Sequence, residues 1–222
     1  MAKSRKLKKP KRFFIALTDR VNRFPPWLLH LNKFYILRHH IEKTPQIRTS
    51  PDAIVRVADI DDANAIATCC QKPVINIVNR FESGDFCFVI LIDDKIVGFE
   101  WMAGSTTFIE NSQGITFHVR PEVMWVYDGF VVLEYRLRGL WVSLQYAITE
   151  YLKTNQKLLV ACSVDYDNVS SLKAHLRFGY ETTDMVYSVT LLGLAIRIHK
   201  NIVADKNKLQ ISCWKNYLTI RL

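Results

Sequence analysis

Two arginines and a glycine stand where a long apolar run gives way to a helix-like pattern. Met124 to Val132 is almost wholly apolar, Glu134-Tyr135 follow, and then comes Arg136-Leu137-Arg138-Gly139-Leu140-Trp141. At a strand-to-helix junction the first helical N–H groups have no intrahelical partners, and the positive end of the helix dipole lies behind them. Such a turn suits phosphate. Gly139 lets a ligand approach the backbone closely, and Arg136 and Arg138 add positive charge. The same residue types also cap ordinary surface helices, so the turn alone leaves both readings open.

Downstream, Leu158 to Val164 is a second apolar run, followed by Asn168-Val169-Ser170-Ser171 and then Arg177-Phe178-Gly179-Tyr180. Asp128 is the ionisable group in the middle of the first run. Strict alternation sets it on one face with Met124, Val126 and Phe130. A carboxylate among such neighbours has a raised pKa unless it is paired. It reads as a base or acceptor-binding group, or as a structural acid bonded to a turn. Glu100 and Glu122 are lesser candidates, and Glu134 reads as a surface residue.

These pieces come in a known order. Arg136-x-x-Gly139-x-Trp141, then Asn168, Ser171, His175, Gly179 and Tyr180, resembles the paired motifs of the GCN5-related N-acetyltransferase (GNAT) superfamily. Asp93-Asp94-Lys95-Ile96-Val97-Gly98 is similar to a hairpin of that family, and the likeness covers roughly residues 53–192. The resemblance implies an acyltransferase that moves an acetyl or other acyl group from acyl-CoA to a primary amine by direct attack. It implies that Phe130, Val131 and Val132 line the pantetheine arm. Arg136, Leu137, Arg138, Gly139, Leu140 and Trp141 would hold the pyrophosphate, with Asn168 and Ser171 nearby. A strand N–H would polarise the thioester. A base makes the amine neutral, which gives Asp128 a catalytic role.

Two positions depart from the family pattern. Trp141 replaces a small residue that lets pyrophosphate sit against the amide. His175 replaces a tyrosine that protonates the departing thiolate. A histidine can also donate a proton, with an unperturbed pKa of about 6.5, and His175 equally suits a partly buried helix position without chemistry. These departures keep a second function in view: an acyl-CoA-binding or interaction protein of the same fold without turnover.

The elements that must position these residues follow from pattern. The 222-residue chain is 49% hydrophobic and 23% charged, ordinary globular usage with enough length for a sizeable core. Periodicity predicts a strand at Ile54 to Ala58, helices over Asp59 to Cys70 and Val74 to Phe81, and a hairpin of Phe86 to Ile92 with Ile96 to Trp101. Residues 103–116 read as a loop. The Val123 to Val132 strand precedes a helix over Arg138 to Lys153, the Leu158 to Val164 strand and a helix over Asn168 to Phe178. Strands at Val186 to Leu192 and Leu209 to Leu222 complete an α/β fold with a mixed, mostly antiparallel central sheet flanked by helices.

The net charge of +9 is unevenly distributed. Residues 1–50 hold 13 Lys/Arg against 2 Asp/Glu, whereas residues 51–222 hold 17 against 19. The chain therefore reads as a basic N-terminal extension (1–50), disordered over 1–12 and then helical over 12–24 and from Trp27 to Ile41, followed by an acyltransferase domain (51–222). Lys/Arg with Phe, Trp and Leu over residues 1–43 suits an anionic membrane surface. Nucleic acid is disfavoured because the body is slightly acidic. The five cysteines are odd in number and scattered, as in a reducing compartment, and no Cys/His group has metal-ligand spacing. The expected place is cytoplasmic, at the inner membrane surface if the arm docks there, with acetyl-CoA as co-substrate and no metal.

Overall fold

The computed structural model describes residues 21–25, 28–46, 48–110, 114–213 and 217–222. The basic stretch 1–12, most of the helix expected over 12–24, and Trp27 lie outside them. The strands are β1 (Leu29–His40), β2 (Ile54–Val57), β3 (Phe86–Ile92), β4 (Lys95–Met102), β5 (Thr107–Glu110), β6 (Ile115–His118), β7 (Val123–Val131), β8 (Leu159–Asp165), β9 (Glu181–Leu191), β10 (Leu194–Asn201), β11 (Lys206–Cys213) and β12 (Leu218–Arg221). The α-helices are α1 (Ala63–Cys70), α2 (Val74–Glu82), α3 (Leu140–Thr154) and α4 (Val169–Phe178).

Nine strands make one sheet in the order β11-β10-β9-β1-β8-β7-β4-β3-β2. It is antiparallel except where β7 and β8 run parallel. A small sheet, β12-β6-β5, covers part of one face. On that side Phe34, Ile36, Trp125, Ala161 and Val186 pack with Ile115, Phe117, Leu218 and Ile220. On the other face α3 lays Leu140, Leu144, Ile148 and Leu152 over β2, β3, β4 and β7. Helices α1 and α2 close the near end with Ile66, Ala67 and Ile77 against Val89, Phe99 and Trp101.

Locally encoded elements form as expected. Asp59 caps the turn before α1 through a capping box with Asp62. Asp93 and Asp94 take φ of 49° and 60° at the β3–β4 turn, the left-handed pair a two-residue hairpin needs. Asn168 caps α4, and Gly179 ends it at φ 107°.

Three expectations are corrected. Residues 29–40 are a strand, not a helix, and β1 sits inside the sheet, hydrogen-bonded to β8 on one side and β9 on the other. Phe34, Tyr35, Ile36 and Leu37 are all buried, alternately toward the two faces. Each such burial contributes roughly 1.5–3 kcal/mol, more than the ~1 kcal/mol at stake in local propensity. The boundary at residue 50 therefore falls after a strand that the sheet already contains. Residues 103–116 are no loop: β5 and the start of β6 lie there, and β6 pairs with the C-terminal β12. The expected terminal strand is two, β11 and β12 in different sheets, and β10 precedes them.

Candidate active site

The parallel neighbours β7 and β8 pair only at Val123–Leu159, Met124–Val160 and Trp125–Ala161. Beyond that they diverge. A bulge in β7 drives the divergence. Phe130 pairs with Phe99 and Tyr127 with Trp101, so Asp128 and Gly129 together face the single residue Glu100. Asp128 takes the left-handed turn at φ 49°. The gap opens into a cavity of about 480 Å³ bordered by Glu100, Asp128, Val131, Arg136, Trp141, Asn168, Ser171 and His175.

The bulge breaks the expected alternation. Met124 and Val126 face α3, whereas Phe130 turns to the opposite side and stacks on Phe99 at 5.7 Å. Asp128 does not have the raised pKa of an unpaired buried acid. Burial pushes it up, but Lys72 Nζ at 2.6 Å and Arg80 Nη1 at 2.7 Å more than offset this and hold it below the usual range. An acid held ionised by two cations takes up a proton poorly, so this geometry does not suit Asp128 as the base.

At the cavity mouth, Gly139 is the N-cap of α3 at φ 78°. Its carbonyl accepts from Ser143 N, which leaves the amides of Leu140, Trp141 and Val142 ahead of the first helical bond. Arg136 Nε donates to Val131 O at 2.8 Å, fixing the turn to the end of β7. The Arg138 guanidinium lies 5.2 Å from the centre of the Tyr135 ring, and Leu137 is fully exposed. Trp141 leans onto α4, with ring centres 4.6 Å from His175 and 5.8 Å from Phe178. It therefore forms a wall of the cavity and leaves the cavity open. A second, apolar cavity of about 400 Å³ lies beside it, lined by Tyr135, Leu137, Trp141, Arg177 and Phe178.

Asn168 Oδ1 accepts from Ser171 N at 3.2 Å and from the Ser170 hydroxyl at 3.1 Å, bracing α4. His175 is 6% exposed, and burial lowers its pKa to about 4 against the opposing pull of the Ser171 carbonyl. It is neutral at pH 7. A carbonyl 2.8 Å from Nδ1 accepts only from an N–H, so Nδ1 carries the proton and Nε2 is an acceptor. A histidine in that tautomer has no free proton for a thiolate, which counts against the acid role.

Glu100, a lesser candidate by sequence, occupies the strongest chemical position. It is 3% exposed at the cavity floor, opposite the bulge. A Cβ on Gly129 would lie 3.2 Å from its Oε1. Burial raises its pKa to about 8, although Gln145 Nε2 donates to Oε2. The Tyr180 hydroxyl in turn donates to Gln145 Oε1 at 2.8 Å. A lone acid inside the apolar strand 96–101 was the available signal. Asp165, at the end of β8, is raised to about 6 by burial and by the charges of Asp167 and Glu110. Cys87 and Cys162 are buried with raised pKa values and are not activated thiols. Among the described residues no His/Cys/Asp/Glu group could hold a metal ion, and no helix is long and apolar enough to cross a membrane.

No known family model matches the sequence, and no curated protein matches it. Solved structures do. The chain is similar to an acetyltransferase from the GNAT family from Colwellia psychrerythraea (TM-score 0.53, 15% identity), with 79% of this chain and 60% of that one covered. It is also similar to a GNAT-family protein from Novosphingobium aromaticivorans (0.52, 12%, covering 75% and 68%). A conserved protein of unknown function from Staphylococcus epidermidis matches equally (0.52, 10%, covering 82% and 68%). The chain thus spans about 60–68% of the length of these proteins. The mixed, mostly antiparallel sheet flanked by four described helices thus has the fold of these GNAT-family structures.

Proposed function

We propose that this chain transfers an acyl group, acetyl in the first instance, from acyl-CoA to a primary amine. The observation that carries this reading is the splayed β7–β8 gap with a phosphate-competent helix N-terminus at its mouth. When bound, acetyl-CoA supplies a thioester carbonyl open to attack.

The chain's own groups fit that co-substrate. The free amides of Leu140, Trp141 and Val142, with Arg136 and Arg138, would hold the pyrophosphate. The backbone of Phe130, Val131 and Val132 borders the gap and would receive the pantetheine arm. Val126 to Val131 have no β8 partner, so their polar groups on that side face the gap, except the Val131 carbonyl, which already accepts from Arg136. Asn168 keeps α4 against this wall, and Ser171 fixes His175.

We assign the base role to Glu100 in place of Asp128. An acid whose pKa lies near 8 takes a proton from an ammonium and returns it without a large penalty. The proton shed by nitrogen as the amide forms is then available to the departing thiolate. Asp128 ties Lys72 and Arg80 of the α1–α2 region to the bulge, and His175 acts through packing.

Calorimetric titration with acetyl-CoA is the test, beside the Arg138→Glu variant and a panel of primary amines. Binding weakened at least tenfold in the variant, with turnover of one amine, is the expected result. Binding without any turnover would favour an acyl-CoA-binding protein of this fold. No binding to the natural sequence would remove the co-substrate from the proposal.

The membrane reading needs a narrower footprint than residues 1–43, because Phe34 to Leu37 are core. It rests on residues 1–20, with eight Lys/Arg against Asp19.

A further inference from the structure

Among the described residues, one part of the large sheet is covered on a single face only. Val186, Ser188, Thr190, Ala195 and Arg197 point toward the small sheet and are buried. The residues between them point the other way, to the side of α3 and α4, and are open. Register makes them contiguous. Ile196 lies directly between Val189 and Ile211, Leu194 lies beside Leu191, and Ile198 lies between Tyr187 and Leu209. Cross-strand partners share a face, so these side chains form one apolar surface. Its seven aliphatic members are 38% to 61% exposed.

Seven half-exposed Leu, Ile and Val residues present on the order of 600 Å² together, the upper end for the largest patch of a monomer (~300–600 Å²). No acid or base interrupts the three rows within β9, β10 and β11; at their margin Lys33 of β1, the partner of Tyr187, sets its Nζ 4.8 Å from the centre of that ring. A sheet with one apolar face that no described residue covers calls for a further layer.

We propose that the open face of β9, β10 and β11 is the interface of a symmetric dimer. Each copy lays its Val189–Ile196–Ile211 row against the same row of the other. Three observations select a second copy. First, the surface is self-complementary: apolar rows of β9, β10 and β11 meet apolar rows across a two-fold axis, and Lys33 stays at the margin over the Tyr187 ring. Second, two copies of this face bury roughly 1,200 Å² in total, the lower bound for specific, stable interfaces. Third, the free edge of β11 carries Lys206 and Lys208, and edge lysines oppose strand-to-strand addition, so association goes through the face. Two twisted sheets stacked about 10 Å apart would supply the missing layer.

Sedimentation velocity of the full chain across a dilution series tests this. The expected result is a species of twice the 25.8 kDa chain mass that dissociates on dilution. The double variant Ile196→Lys, Ile211→Lys should run as a single chain with unchanged far-UV circular dichroism. As a control for lysines unfolding the meander, Val189→Thr with Ile211→Thr, which keeps strand propensity, should weaken the dimer at least tenfold. A monomeric natural chain at all concentrations overturns the proposal, as does a dimer indifferent to both variants. In the monomeric case, co-sedimentation with phosphatidylglycerol vesicles that is lost in the variants would assign the face to lipid. Dimerisation only after removal of residues 1–20 would instead assign it to the chain's own N-terminal segment.

Discussion

Glu100 and Asp128 sit across the same bulge and have opposite electrostatic fates. Asp128 has two cations within 2.7 Å, whereas Glu100 has, among the described residues, the neutral Gln145 amide as its side-chain partner. Burial dominates where no charge compensates, so Glu100, unlike Asp128, is able to exchange a proton near neutrality. Glu100→Gln should therefore lower kcat by about 10²–10⁴ and remove an ionisation near pH 8 from the rate profile. The rate of the natural enzyme should rise with pH through that value, because the base acts when ionised. Stability should run the other way. The folded state keeps the proton up to about pH 8 while the unfolded chain loses it near 4.5, so between these values stability falls as pH rises. Urea midpoints across that range should drop more for the natural chain than for Glu100→Gln. Turnover of the variant within threefold of the natural enzyme would rule out this assignment.

The turn before α3 shows what one residue does for an element. Gly139 at φ 78° turns the chain from the β7 exit into the helix and leaves its first amides outward. An added Cβ would meet nothing closer than 3.7 Å, so the cost of a side chain there is conformational, not steric. Gly139→Ala should destabilise by about 1–2 kcal/mol and lower Tm by roughly 2–8 °C, read by calorimetry; an unchanged Tm would mean the turn relaxes freely. This turn was legible in the sequence because its signals are local, as were the Asp59 capping box, the Asp93-Asp94 turn and the Asn168 cap. Non-local determinants were not. Leu28, Leu31, Phe34 and Tyr35 fit a helical period, and only the flanking strands β8 and β9, far along the chain, make that segment a strand. The same limit hid the bulge. Alternation along β7 looked unbroken, and the Lys72 and Arg80 partners of Asp128 come from the α1–α2 region. Once the bulge turns Asp128 aside, Glu100 becomes the acid at the cavity floor.

At the scale of the molecule, β1 joins the two halves of the sheet. It supplies the pairing edge of β8 on one side and of β9 on the other, and its side chains enter both major cores there. The segment that carries it also holds much of the positive charge, so composition alone separates it from a domain to which it is structurally essential. Removing it would leave two interior strands with unpaired backbone, together with voids where Phe34, Tyr35, Ile36 and Leu37 were. Such edges recruit other chains, and each lost core side chain costs about 2–5 kcal/mol. The four together, about 8–20 kcal/mol, are as large as the 5–15 kcal/mol by which a domain is typically stable. A fragment of residues 51–222 should therefore be insoluble or lack a cooperative thermal transition. A fragment of residues 21–222, which keeps Val21 and the Asn22 bonds to Leu31 at 2.9 Å, should melt within a few degrees of the full chain. Parallel melts of the two fragments decide the matter: a soluble, cooperatively folding 51–222 would show that β1 is an accessory strand and that the sheet closes without it.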